Sequence, residues 1–196
     1  ADMWIHESFT NYSESLFLDY HYGTKAANEY IVGLRNIIQN DKPIIGIYNV
    51  NHEGSGDMYP KGANMLHNLR QIVNNDEKWR SILRGLNQEF YHQTVTTQQI
   101  EGYLSQHVGR NLTPVFDQYL RDVRIPVLEY KQDGKKLQYR WANTVETFDM
   151  PVKVYLNGTE QWLEPTTNWQ ELKTKKNAKL EVDMNFYVTA EKTPAA

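Results

Sequence analysis

Two hydrophobic periods follow one another along the chain. Between residues 8 and 121 the apolar positions recur with helical spacing. Phe9, Tyr12, Leu16 and Tyr20 make a first stripe. Ala27, Tyr30, Ile31, Leu34, Ile37 and Ile38 make a second, with Thr24 as its N-cap. Ala63, Leu66, Leu69, Ile72 and Val73 make a third. Trp79, Ile82, Leu83, Leu86 and Phe90 make a fourth, capped by Asp76. Thr96-x-x-Gln99 has the form of a capping box ahead of Ile100, Tyr103 and Leu104. Thr113-Pro114 reads as N-cap and first helical residue of a short last helix through Leu120. The stretch between the second and third stripes carries Gly46, Gly54 and Gly56 and few apolar residues after Ile47, so it reads as a long loop, a kind that is often functional in compact domains.

Beyond Arg124 the period falls to two. Val127 to Tyr130 is a short strand, and Asp133-Gly134 marks a turn. Leu137, Tyr139 and Trp141 alternate with polar residues, as do Val152, Val154 and Leu156. Asn157-Gly158 is a hairpin signal. Leu180, Val182 and Met184 alternate, with Phe186 and Val188 continuing the phase, and the tail from Glu191 to Ala196 reads as frayed. The pattern predicts an α+β, two-domain chain: a helical part over residues 1–123 and a small all-β, sandwich-like part over 124–196.

Composition narrows the function classes. The chain has 196 residues, a formal charge of −3 and 40% hydrophobic residues, enough for a real core and no electrostatic footprint for nucleic acid. No apolar run is long enough to span a bilayer. With Cys 0 in the composition, disulfides and thiolate metal sites are excluded, while the compartment stays open. Five aromatic residues, Tyr139, Trp141, Tyr155, Trp162 and Trp169, admit two readings: sheet packing or a face that recognises a partner.

The common catalytic signatures are absent: no GxxxxGK[ST], no GxGxxG, no GxSxG. His6-Glu7 lacks the second His at position 10, where Thr stands, so it is not the start of a zinc helix of HExxH type. The six histidines show no metal-ligand spacing. Two features remain. On a helix, Glu7, Asn11 and Glu14 share one face, opposite Phe9, Tyr12 and Leu16; such carboxylates are either solvated or line a polar cleft. Tyr59 stands before Pro60, where a helix begins, and its phenol either packs in the core or projects past the helix end into a cleft.

Taken together, these stretches resemble the M1 family of zinc aminopeptidases, the gluzincins. Trp4-Ile5-His6-Glu7 is similar to the family's W-[LI]-x-E segment, and Phe9-Thr10-Asn11-Tyr12-Ser13-Glu14 to its F-[TA]-x-Y-x-E continuation. Tyr59-Pro60-Lys61-Gly62, running on to Leu66 and Leu69, is similar to its Y-x-K-G-x-x-x-[LI]-x-x-L segment. Ile125-Pro126-Val127-Leu128-Glu129-Tyr130 resembles the entry into its β-domain. His6 stands where many relatives carry Asn. The resemblance implies the helical half of a thermolysin-like catalytic domain followed by a β-domain. It makes Glu7 the carboxylate ligand of a catalytic zinc, Tyr59 the catalytic phenol that stabilises the oxyanion, and Glu14 a support for the ligand helix.

The same resemblance sets what to expect of the chain as it stands. The H-E-x-x-H helix and the G-x-M-E-N loop would lie before Ala1, so the chain is expected to be a C-terminal fragment whose missing partner is the N-terminal part of its own protein. The parent would hydrolyse N-terminal residues from peptides through a zinc-activated water. The fragment, lacking two His ligands and the general base, is expected to be inactive and to bind zinc poorly. The alternative is a catalytically dead relative of the same scaffold that uses its β-domain to recruit a partner. Localisation is left unassigned.

Overall fold

A computed structural model describes residues 1–194. The chain divides into two compact units, Ala1–Val123 and Arg124–Ala196. The first is helical. Helix α1 (Trp4–Tyr22) buries Trp4, Ser8, Tyr12 and Ser15. This stripe differs from the expected one: Tyr20 is exposed, and Phe9 and Leu16 are half-buried. The reason is close approach. Ser15 Oγ donates to the Ala27 carbonyl at 3.3 Å and Ser8 Oγ to the Met58 carbonyl at 2.7 Å, so small hydroxyl residues sit where two neighbouring segments press hardest on α1.

Gly23, at φ +87°, ends α1 and begins α2 (Thr24–Gly33), a conformation that favours glycine. Thr24 is therefore the first helical residue and not the N-cap; its hydroxyl donates to Asp19 Oδ1 at 2.8 Å. The stripe predicted to run through Ile38 ends in a single 3-10 turn, Leu34–Ile37. Helix α3 (Pro60–Val73) follows the long loop and a 3-10 turn at Gly56–Met58. Helix α4 (Asp76–Glu89) is capped by the Asn75 side chain, which accepts from Lys78 N at 2.9 Å. The expected cap, Asp76, is one residue inside the helix because its carboxylate is taken by Arg70. Helix α5 (Thr97–Val108) carries the predicted Thr96–Gln99 capping box. Helix α6 (Thr113–Leu120) has Leu112 at the N-cap, one position before the expected Thr113.

Helix α3 is the buried centre of this unit: its residues from Pro60 to Arg70 are all buried. Lys61 is among them, 1% exposed, and its Nζ donates to the Asp122 carbonyl at 2.9 Å. Burial lowers its pKa to about 8, against the opposing pull of Asp57, Asp122 and Asp41. An amine whose folded pKa lies below its unfolded value of 10.5 destabilises the fold while charged, and the penalty is relieved as pH rises. Relative to a Lys61→Met variant, the native chain is therefore expected to gain about 2 kcal/mol of stability between pH 8 and pH 10. Urea unfolding at the two pH values checks this; a constant difference would show that Lys61 is not buried as an amine.

The second unit is all β, with strands β1 (Val127–Asp133), β2 (Lys136–Ala142), β3 (Val152–Leu156), β4 (Thr159–Leu163), β5 (Gln170–Lys173), β6 (Leu180–Val182) and β7 (Thr189–Lys192). They form one sheet in the order β5-β2-β1-β7 and another in the order β4-β3-β6. Strands β1 and β2 are antiparallel with Leu128 opposite Trp141, while β7 runs parallel to β1 with Val127 opposite Thr189. Asn157 and Gly158, at φ +52° and +80°, make the predicted hairpin between β3 and β4. The chain is thus α+β, as expected.

Two expectations in this unit are corrected. The apolar alternation through Val188 is not one strand: β6 stops at Val182, and Asp183 turns the chain, its carboxylate accepting from Asn185 N at 2.9 Å. Glu191 is not frayed but paired with Glu129 through β7; Ala195 and Ala196 lie outside the described residues. Trp141 is buried, its Nε1 donating to the Met150 carbonyl at 2.9 Å. Trp162 is half-buried, edge-on to Phe186. Trp169 is the more exposed, with Lys131 and Arg140 stacked on its ring at 4.6 and 4.7 Å.

Candidate active site

Glu7 lies in the first turn of α1, where the positive end of the helix dipole favours a carboxylate. That end of α1 is pinned to the start of α5. Trp4 is fully buried and its Nε1 donates to Thr97 Oγ1 at 2.9 Å. Asp2 accepts from the Thr97 amide at 3.3 Å, from the Thr97 hydroxyl, and from Tyr48 OH at 2.8 Å. Although burial opposes it, these hydrogen bonds hold the Asp2 carboxyl below its ordinary pKa.

Tyr59 precedes the first residue of α3 and is 44% exposed, so its phenol projects from the helix end instead of packing in the core. It lies close enough to the Glu7 carboxylate to feel its charge. Desolvation first, then the Glu7 carboxylate, then the more remote Glu53, push the phenol's pKa up. A carboxylate and a phenol separated by half of the helical unit in sequence therefore meet at one solvent-reachable place.

The seam that brings them together is built by Ser8 and by Gly62, which the sequence motif contains but whose packing role it does not show. A Cβ placed on Gly62 would stand 1.9 Å from Ser8 Oγ and 2.7 Å from Ser8 Cβ. The glycine is a notch in α3 that accepts Ser8, the residue following Glu7, and Ser8 in turn holds the Met58 carbonyl just before Tyr59. The signals available were a serine on a buried face and a glycine inside a helix. A Gly62→Ala substitution is expected to destabilise the unit by about 1–3 kcal/mol through overpacking. Adding Ser8→Gly should recover part of that loss in thermal unfolding, and a non-additive pair is the signature of direct contact.

The loop before Tyr59 is equally fixed. Asp57 accepts from the amides of Gln39 at 2.9 Å and Asn40 at 2.6 Å, Ser55 Oγ donates to Asp41, and Ser55 N bonds the Pro43 carbonyl at 2.9 Å. Gly54 is required because a Cβ there would stand 1.7 Å from the Ile44 carbonyl oxygen. Lys42, Val50, His52 and Glu53 of this loop, with Met3, line an open cavity of about 490 Å³.

Glu14 lies two turns along α1 and is exposed; it accepts from Asn11 Nδ2 at 3.0 Å and from the Tyr30 hydroxyl of α2. That hydrogen bond, with burial and the carboxylate charge behind it, pushes the Tyr30 pKa up to about 12. The histidines do not converge on the site: His6 is exposed and His67 is buried within α3. Among the described residues no cluster of three His, Cys, Asp or Glu could hold a metal.

The profile of the Peptidase family M1 domain matches residues 1–119. The crystal structure of Legionella pneumophila aminopeptidase A in complex with aspartic acid superposes with a TM-score of 0.65 at 11% identity. The match covers 97% of this chain and 24% of that one, so the chain spans about a quarter of the length of that neighbour. At this identity the likeness speaks for the fold. No match was found among curated proteins.

Proposed function

This chain belongs to peptidase family M1, and from that premise we propose that it forms one wall of a zinc-dependent aminopeptidase active site acting on peptides. The observation that carries the reading is the placement of the solvent-reachable Tyr59 phenol beside the Glu7 carboxylate, whose charge acts on it. Glu7 offers one oxygen donor to the metal, and the remaining donors and the general base come from parts of the protein outside this segment. Zinc, when bound, activates water and polarises the scissile carbonyl.

Tyr59 has a separate task. Its O–H, held beside Glu7 at the helix end, donates to the oxygen that becomes negative when the peptide carbon turns tetrahedral. A phenol is protonated, and therefore a donor, at neutral pH. Ser8 and Gly62 set the approach of the two elements that carry the pair. Glu14 supports the ligand helix by tying α1 to α2 through Tyr30, without touching substrate.

The test uses an aminoacyl chromogenic amide. The complete enzyme is expected to release the amine, to lose activity with a chelator, to recover with zinc, and to fail with Glu7→Gln. The 196-residue chain alone is expected to release none. Hydrolysis by the isolated chain, or chelator-insensitive hydrolysis by the complete enzyme, would overturn the assignment.

A further inference from the structure

Farther along α1, twelve residues and about 18 Å from Glu7, a second cleft of about 490 Å³ opens between the last turns of α1 and the outer face of α4. Leu16 and Trp79 form its floor, Arg70 its inner end, and Arg80 and Arg84 its rim. The two rim arginines are one helical turn apart on α4, so their side chains leave the same face. Both are exposed; Arg84 pairs with no carboxylate among the described residues, and Arg80 interacts with the charge of Asp76 without forming an ion pair with it. Arg70 is 5% exposed, and while its other nitrogens reach Asp19 and Asp76, its buried Nη1 has no hydrogen-bond acceptor among the described residues.

Such a site has the chemistry of an oxoanion receptor. Guanidinium forks match the paired oxygens of carboxylate and phosphate, and an apolar floor strengthens the attraction by excluding water. Asp19 and Asp76 form their ion pairs with Arg70, and neither Arg80 nor Arg84 forms one among the described residues. We propose that this cleft binds an oxoanion group, carboxylate or phosphate, held between Arg80 and Arg84 over Trp79. It shares no residue with the Glu7–Tyr59 pair, so it stands or falls apart from the peptidase reading.

The experiment follows the arginine Nε–Hε resonances of the ¹⁵N-labelled chain during titration with inorganic phosphate and, separately, with succinate, each against chloride at equal ionic strength. Saturable shifts of Arg80 and Arg84 with at least one probe are expected. Each single substitution, Arg80→Gln or Arg84→Gln, should weaken binding about tenfold, and the double variant should abolish it; both positions are exposed and outside the core. Saturation by phosphate alone assigns a phosphoryl ligand, by succinate alone a carboxylate ligand. Shifts that chloride reproduces, that fail to saturate, or that persist unchanged in the double variant would overturn the proposal.

Discussion

Replacing Tyr59 by phenylalanine in the complete enzyme is expected to lower kcat by roughly 10²–10³, with KM little changed. The asymmetry follows from when the hydrogen bond forms. A phenol that donates to a developing negative oxygen contributes in the transition state and adds little while the carbonyl is neutral. The ring itself is 44% exposed and caps the start of α3 from outside the core, so its hydroxyl is not needed for folding. Circular dichroism of the variant should match the native protein. A loss of less than tenfold, or a rise in KM that accounts for the whole effect, would remove Tyr59 from the reaction and leave it a substrate contact.

Replacing Arg70 by leucine is expected to destabilise the helical unit by about 3 kcal/mol. Arg70 ties three helices: from α3 it reaches Asp19 on α1 at 2.7 Å and Asp76 on α4 at 2.8 Å. Its guanidinium also lies against Tyr12, whose phenol burial pushes up to about 12 and whose hydroxyl accepts from Trp79 Nε1 at 3.1 Å. Leucine would leave both carboxylates without their guanidinium partner, while the Tyr12 hydroxyl keeps its Trp79 donor. The carboxylates are 22% and 52% exposed and regain water, which keeps the loss at the low end for a broken buried pair. Chemical denaturation of Arg70→Leu alongside Arg70→Lys checks this. Lysine keeps the charge and loses the fork, so it should fall between the two; a leucine variant as stable as the native chain would show that the cluster contributes nothing net.

The parts of this molecule that were legible in the sequence are those governed by local rules. Asn157-Gly158 turns because both residues tolerate positive φ, and Thr96 and Gln99 cap because their side chains reach amides three residues away. What was not legible depends on neighbours distant in the chain. The buried stripe of α1 runs through Ser8 and Ser15 because α3 and α2 come too close for larger residues, and no spacing rule places a serine in a core. Asp76 and Thr24 look like caps, but Arg70 and Asp19 compete for their side chains. The strand expected through Val188 failed because Asp183 makes a local turn that apolar alternation does not register. At the site, Glu7 and Tyr59 stood out through their motif setting, while the glycine notch and the loop hydrogen bonds that make them meet came only with the fold.

The parallel pairing of β7 with β1 joins segments some sixty residues apart, Val127 with Thr189 and Tyr130 with Lys192. A ribosome delivers the first of these strands long before the last. The four-stranded sheet therefore waits, with one side of β1 unmatched, until translation has passed Lys192, and this half of the molecule matures later than the helical half that precedes it.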